Sequence, residues 1–235
     1  MENSIATQVD WVDTLTGQML SFSMLAKLIY GYPEIKWIDA LIAEDVFADA
    51  PFAATQPEVI AGLNLLQTWS HANRGGITLD SFDALRIDCM RLFIGPDKFF
   101  APPWESMSFC EEQLVFQQQT LQVRDWYARY GLELINLHRE PDDHIGLELE
   151  FIAHLAKLGL AALEANDTKR FDELLQAQKQ FLTEHPLQWA IQWTQLVEKN
   201  AQTEFYRGVA LLARGSLIEL AALLQAPIPQ TAPAN

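Results

Sequence analysis

The sequence predicts an all-α protein on three observations. Apolar residues recur three or four positions apart in each long segment, which is the spacing of one buried helix face. Gly and Pro separate these segments, and both residues are common where helices begin or end. A strand-like alternation of apolar and polar residues is brief and confined to residues 132–139, where it has no second strand to join. We therefore expect a single globular helical bundle with no sheet of three or more strands.

The first half of the bundle, about residues 1–131, contains five predicted helices. The first covers about 16–30, the second is led by Pro33 and fades by residues 49–51, and the third runs from Pro57 to a stop at residues 73–76. The other two are a helix that begins at a cap among Thr78, Asp80 and Ser81 and continues to Leu92 and Phe93, and a long helix over 111–130.

The second half, about residues 140–225, contains four predicted helices. One is opened by residues 140–144, and the others cover about 168–184, 186–200 and 203–225. Residues 132–139 are interpreted as a linker between the two halves. The tail, residues 226–235, holds three of the eleven prolines and little to bury, so we expect it to be disordered.

The charge of the chain limits its partners. Lys and Arg number 16 against 31 Asp and Glu, which gives a formal net charge of −15. Phosphate contact needs clustered basic residues, so nucleic acid is not an expected partner, whereas a basic ligand would be attracted. No apolar run is long enough to cross a bilayer and the N-terminus lacks the pattern of a signal peptide. We expect a cytoplasmic protein with no stable membrane insertion.

The sequence contains no recognisable enzyme motif and no residue spacing typical of a metal site. Cys89 and Cys110 have no metal-binding spacing, and we interpret both as reduced thiols. Di-iron bundles need Glu and His three apart, whereas Glu150 and His154 are four apart and are interpreted as an exposed i,i+4 pair on one helix face. His144 and Glu148 are also four apart. There is no hydrolase elbow and no phosphate loop, so neither a metal nor another cofactor is predicted.

Residues 91–106 are unusual for a connection between helices. Four aromatic side chains and two consecutive prolines occupy a segment that cannot be helical after Gly95 and Pro96. Loops are usually polar because they face water. Trp104 is therefore either an anchor that fixes the loop to the core or a platform for a partner.

Residues 140–144, Glu-Pro-Asp-Asp-His, form a second unusual stretch. Pro141 suits the first position of a helix, and Asp142 and Asp143 complement the positive end of the helix dipole. That account leaves His144 unexplained, since the helix terminus opposes its protonation and the adjacent aspartates favour it. Packing and a proton-sensitive or hydrogen-bonding role both stay open for His144.

Three blocks of sequence together resemble the TorD/DmsD family of redox-enzyme maturation chaperones. The blocks are Leu-Phe-Ile-Gly-Pro at 92–96, Pro-Pro-Trp-Glu-Ser at 102–106 and Glu-Pro-Asp-Asp-His-Ile-Gly at 140–146. A further trace is Phe-Tyr-Arg at 205–207. The resemblance implies a cytoplasmic, all-helical chaperone that binds the twin-arginine signal peptide of a molybdopterin-containing oxidoreductase, of the DMSO or TMAO reductase kind. Such a chaperone holds its apo client back from export until the cofactor is inserted.

The resemblance also implies where the peptide binds. The candidate peptide-binding residues are Phe93, Pro103, Trp104, Glu105, Ser106, Pro141, Asp142, Asp143 and His144. Two arginines followed by an apolar stretch need carboxylates beside an aromatic groove. Glu105, Asp142 and Asp143 are expected to supply the carboxylates, with little effect of their replacement on thermal stability.

Two functions from other classes compete with this one. An enzyme could use Asp143 and His144 as an acid/base pair on a small substrate, and a structural subunit could bind permanently within a larger complex. Family members occur as monomers and as exchanged dimers, so we expect one of these states, with residues 132–139 as the hinge of an exchange.

Overall fold

The structure is a computed structural model that describes residues 9–95, 99–109, 115–132 and 141–229. Within those ranges the chain forms ten α-helices. They are α1 (Trp11–Tyr30), α2 (Ile35–Ala43), α3 (Pro57–Ala72), α4 (Leu79–Cys89), α5 (Glu105–Ser108), α6 (Gln118–Arg129), α7 (Ile145–Glu164), α8 (Thr168–Glu184), α9 (Pro186–Asn200) and α10 (Glu204–Leu224). A 3₁₀ turn (Val46–Ala48) follows α2, and a π-helical turn (Met90–Ile94) extends α4.

The predicted all-α class is confirmed. The described ranges contain no strand, and their one β-bridge joins single residues, Trp104 and His144. The fourth predicted helix begins at Thr78, whose hydroxyl accepts a hydrogen bond from the Ser81 N–H. The predicted helices at the C-terminal end agree with α8, α9 and α10 to within one residue.

Two helix starts in the first half differ from the prediction. Helix α1 begins five residues early because the Asp10 carboxylate caps it, accepting from the N–H groups of Val12 and Asp13. Helix α6 begins at Gln118 rather than at residue 111. Phe116 has a φ of 59°, in the left-handed region, so the helix cannot run through it. The predicted residues 111–114 lie outside the described ranges.

Helix α7 also begins later than predicted. Its cap is His144, so Pro141, Asp142 and Asp143 precede the helix instead of forming its first turn. The chain is extended there because the Ile145 N–H donates to the Pro103 carbonyl at 2.8 Å. The predicted pair of Glu150 with His154 is wrong, since the half-buried His154 ring instead contacts the Tyr130 carbonyl at 3.2 Å.

The halves share one apolar core. Helix α1 from the first half packs along α7 from the second, and α3 packs along α10, while α7 and α10 also contact α8 and α9. Cys89 is a free thiol inside this core. Residues 133–139 of the predicted linker, Cys110 and residues 230–235 of the predicted tail lie outside the described residues. The division into halves therefore stays a prediction.

The α3–α10 crossing is held close by glycine. A Cβ added to Gly62 would lie 2.8 Å from the Gly208 carbonyl oxygen and 2.8 Å from the Leu212 nitrogen. Those neighbours are backbone atoms, which cannot turn away. Gly62 therefore sets the distance between the two helices.

We expect Gly62→Ala to lower the free energy of unfolding by about 1–3 kcal/mol, because the added methyl group forces the helices apart. Thermal and urea unfolding measure the effect. Gly31→Ala is the control, since its Cβ meets nothing within 4 Å and its φ is −129°. Equal stability of the two variants would contradict the close crossing.

Candidate functional site

Two of the sequence blocks meet in space and form what we call the motif junction, residues 103–106 and 141–145. The Glu105 N–H donates to the Asp143 carbonyl at 2.9 Å, and the Ile145 N–H donates to the Pro103 carbonyl at 2.8 Å. These two hydrogen bonds place Trp104 opposite His144. The structure thus brings together two segments that the sequence separates.

Asp143 fastens the junction with its side chain. One carboxylate oxygen accepts from the Ser106 N–H at 2.7 Å, and the other accepts from the Thr120 hydroxyl at 2.7 Å. The side chain is fully buried. Hydrogen bonds to a charged group contribute roughly 1.5–3 kcal/mol each, and a buried carboxylate without them is costly. Asp143 therefore joins both segments to α6.

Asp142 points to a second partner on α6. Its carboxylate accepts from the Arg124 guanidinium, and its backbone carbonyl accepts from the Tyr127 hydroxyl at 3.2 Å. Asp142 is fully buried, whereas the Arg124 side chain is 28% exposed. Thr120, Arg124 and Tyr127 are spaced at i, i+4 and i+7, so one face of α6 holds the whole Asp142–Asp143 pair in place.

Glu105 points inward as well. One oxygen lies 2.9 Å from Nδ1 of His185, and both side chains are buried. Burial raises the pKa of Glu105, while the hydrogen bond and charge of His185 oppose that rise. Asp142 and Asp143 are buried as well, so the structure leads us to expect that replacing any of these three acids lowers thermal stability, contrary to the expectation from the sequence.

His144 is the N-cap of α7. Its Nδ1 accepts a hydrogen bond from the Gly146 N–H at 3.0 Å, which requires a neutral ring. Burial lowers the pKa of His144 from 6.5 to about 3. The ring stands edge-on to Tyr30, at 5.0 Å between centroids, and to Trp104, at 5.8 Å. Packing and capping together account for the residue that sequence patterns left unexplained.

Glu148 is a buried acid whose role the sequence did not show. Its Oε2 accepts from the Trp189 indole N–H at 3.3 Å, and its Oε1 has no partner among the described residues. Burial and the nearby charges of Glu105 and Asp143 raise the pKa of Glu148 well above its ordinary value. A glutamate on the apolar face of α7, between Ile145 and Ile152, was the available signal.

The outer surface of the junction is aromatic. Phe99, Trp104, His144 and Tyr30 form a row of edge-to-face contacts in which neighbouring ring centroids are 5.0–5.8 Å apart. Trp104 and Phe99 are half-buried and Tyr30 is 40% exposed, so the row is open to solvent along one side. We call it the ring row.

Phe93, Pro103, Ser106 and Pro141 lie inside. Phe93 stacks on Trp193 at 5.7 Å and is 3% exposed, so it supports the loop from below. The other three are buried within the motif junction. Of the predicted peptide-binding residues, Trp104 alone therefore presents a half-exposed side chain.

A small pocket adjoins the ring row. Its volume is about 140 Å³, and Tyr30 belongs both to the row and to the pocket wall. Tyr32, Trp37 and Phe205 contribute further aromatic lining, and the exposed Glu34 lies among the lining residues. The pocket has the size of one apolar side chain rather than of a large ligand.

Comparison with known proteins agrees with this arrangement. A family model described as nitrate reductase delta subunit matches residues 56–195, a range that includes the motif junction. The chain belongs to this family. The predicted relationship to TorD and DmsD chaperones is confirmed, since curated proteins similar to this chain carry those names.

Three relatives illustrate the similarity. The chain is 34% identical over 121 residues to the probable Tat proofreading chaperone DmsD of Haemophilus influenzae, covering 52% of each chain. It is 31% identical over 138 residues to the Tat proofreading chaperone DmsD of Salmonella typhimurium, covering 59% of this chain and 61% of that one. It is 25% identical over 199 residues to the chaperone protein TorD of Aliivibrio fischeri, covering 85% and 84%.

A crystal structure from Archaeoglobus fulgidus, described as a candidate redox enzyme maturation protein, is 19% identical. The match covers 90% of this chain and 98% of that one with a TM-score of 0.48. Within the described residues of our structure, no helix is long and apolar enough to span a membrane, and no group of three or more His, Cys, Asp or Glu side chains could hold a metal ion.

The lowered pKa of His144 makes stability depend on pH. The unfolded chain binds a proton near pH 6.5 and the folded chain only near 3, so stability falls as pH decreases between these values, by on the order of 4 kcal/mol at the lower limit. Asn can cap a helix without titrating. We expect the stability deficit of His144→Asn at pH 7 to shrink as pH falls towards 4. Urea unfolding across this pH range measures the effect, with replacement of the exposed His71 by Asn as the control.

The raised pKa of Glu148 changes stability with pH in the opposite direction to that of His144. Its stabilising contribution is complete below its ordinary pKa of 4.5 and is lost as pH rises through the folded value. Gln cannot ionise, so Glu148→Gln should gain stability relative to the parent protein between pH 5 and pH 8. Melting temperatures across that range test this, with the exposed Glu150→Gln as control. A difference that stays constant with pH would show that Glu148 is not protonated on folding.

Proposed function

We propose that this protein is a cytoplasmic chaperone that binds the twin-arginine signal peptide of a molybdopterin-containing oxidoreductase and retains the apo client until cofactor insertion. The chain's matches to DmsD proteins of Haemophilus and Salmonella span about half to three fifths of those chains, so their activity is not transferred on similarity alone. The observation that carries the proposal is the solvent-open ring row on the motif junction.

The ring row suits the apolar part of such a peptide. Trp104 stands on a rigid base, because the residues on either side of it, Pro103 and Glu105, are hydrogen-bonded to Ile145 and Asp143. Phe99 and Tyr30 continue the row of rings beyond Trp104 and His144. A side chain from the peptide can enter the pocket beside Tyr30. An arginine over an indole face adds roughly 0.5–2 kcal/mol of cation–π attraction.

Charge supports binding of the basic part. The net charge of −15 attracts a cationic peptide over several ångströms, and salt weakens that attraction. Glu34 offers an exposed carboxylate close to the ring row through the pocket they share. Glu105 and Asp143 do not offer carboxylates to the peptide in this way, because their oxygens already bond to His185 and to the Ser106 N–H.

The competing enzyme gains no support from the geometry. His144 has a pKa of about 3 and uses Nδ1 to cap α7, so it is a poor base at neutral pH. Both oxygens of Asp143 already accept hydrogen bonds. The description of the family as a delta subunit keeps a permanent structural subunit as the second candidate. A reversible complex with the isolated peptide separates a chaperone from that alternative.

The remaining attributes follow from this proposal. The partner is the apo catalytic subunit through its signal peptide, without nucleic acid, and no cofactor of the chaperone's own is needed. Either a monomer or an exchanged homodimer can present one ring row per copy.

Trp104→Ala should reduce affinity for a peptide carrying Arg-Arg and an apolar stretch by at least tenfold, while unfolding changes by less than the roughly 3–5 kcal/mol expected for a buried tryptophan. The Trp104 side chain is only partly buried, so its loss should remove less core packing than the loss of a fully buried tryptophan. Calorimetric titration and thermal unfolding on the same purified variant give both numbers.

Ile60→Ala is the control for that experiment, because Ile60 is a 46% exposed apolar residue on α3 that does not belong to the ring row. A large loss of stability with unchanged peptide affinity would make Trp104 an anchor of the loop. Absence of peptide binding by the parent protein would reject the proposed function itself.

A further inference from the structure

Asp142 is a buried carboxylate that is only partly satisfied. Its Oδ2 accepts from Nε of Arg124, whereas Oδ1 is buried and has no hydrogen-bond partner among the described residues. Guanidinium and carboxylate groups often pair through two parallel hydrogen bonds. The contact with Arg124 uses one, so Asp142 keeps an unused acceptor suited to a guanidinium.

Arg124 contacts the Asp142 carboxylate and also reaches solvent. Its side chain is 28% exposed while that of Asp142 is completely buried. Movement of this one long side chain towards water would therefore open a route to the carboxylate. The displaced guanidinium would remain hydrated and close to the exposed Asp125.

We propose that Asp142 receives one guanidinium of the twin-arginine peptide, and that Arg124 is an internal guanidinium that occupies this carboxylate until the peptide arrives. This inference rests on the proposed function and assigns the arginine acceptor within it. It makes Arg124 a specificity-determining residue.

In this exchange one guanidinium, that of Arg124, is replaced on Asp142 by another, that of a peptide arginine. A buried charge without a partner is strongly unfavourable, so Asp142 can serve as an acceptor only if another cation neutralises it in the free protein. Arg124 does so. The loop itself stays in position during the exchange, because Thr120 still donates to Asp143 and Tyr127 still donates to the Asp142 carbonyl.

The same arrangement distinguishes arginine from lysine. A guanidinium can donate to Oδ1 and Oδ2 together, whereas an ammonium acts as a point charge. Lysine would also have to displace a better-matched internal partner. A peptide with Lys-Lys should therefore bind less tightly than one with Arg-Arg.

The test uses the full chain with Arg124→Gln and synthetic peptides that carry Arg-Arg or Lys-Lys before an identical apolar stretch. We expect Arg124→Gln to bind the Arg-Arg peptide about tenfold more tightly than the parent protein, because no internal partner has to leave. The gain should vanish in the double variant Arg124→Gln/Asp142→Asn. Arg129→Gln is the matched control, since it removes the same charge from an exposed site on α6 that does not contact Asp142.

A second measurement needs no peptide. Millimolar ethylguanidinium should raise the melting temperature of Arg124→Gln by several degrees, whereas ethylammonium should not, and the parent protein should respond to neither. If Arg124→Gln does not fold, Arg124→Lys takes its place, with a smaller gain in affinity and the same rescue.

The outcomes separate the two proposals. If the parent protein binds no Arg-Arg peptide, the proposed function fails, and selective rescue by ethylguanidinium still identifies Asp142 as a guanidinium acceptor. If the parent protein binds the peptide but Arg124→Gln binds no more tightly than Arg129→Gln and shows no rescue, the assignment of Asp142 and Arg124 is overturned while the proposed function stands.

Discussion

The hydrogen bonds of one carboxylate, Asp143, hold the site together across 37 residues of sequence. It joins the start of α5, the approach to α7 and the first turn of α6. Without it, the Ser106 N–H and the Thr120 hydroxyl would be buried donors with no acceptor, at a cost of about 1–3 kcal/mol each. The ring row exists because this polar contact fixes the backbone beneath it.

The acidic side chains of this region therefore hold the backbone of the site in place, in addition to supplying negative charge. Glu105, Asp142, Asp143 and Glu148 are all buried. Such a concentration of buried carboxylates is unfavourable unless each has a donor or a proton, and the structure provides His185, Arg124 and Thr120 as well as a raised pKa at Glu148. Removing one member of such a pair leaves the other as a buried charge whose desolvation nothing offsets.

Much of the fold could be predicted from the sequence because helices are specified locally. Apolar spacing and caps placed α8, α9 and α10 within a residue, whereas Phe116 broke the predicted fifth helix through a backbone angle that no pattern encodes. The site was harder. Sequence blocks located its backbone, but burial of Asp143 and Glu105 depends on α6 and α9, and their polar partners Thr120 and His185 carry no recognisable motif. Leu121 is 57% exposed while its neighbour Thr120 is buried, so apolar character alone does not identify the buried face of α6.

The π-helical turn at Met90–Ile94 connects α4 to the loop that carries Phe99 and Trp104. The Gly95 N–H donates to the Met90 carbonyl five residues before it, at 2.7 Å, so this turn contains one residue more than an α-helical turn. One extra residue rotates everything that follows by about 100° around the helix axis. Leu92 and Phe93 lie within this turn and are buried in the core. A single inserted codon can redirect a whole loop in this way while the preceding turns of α4 keep their packing.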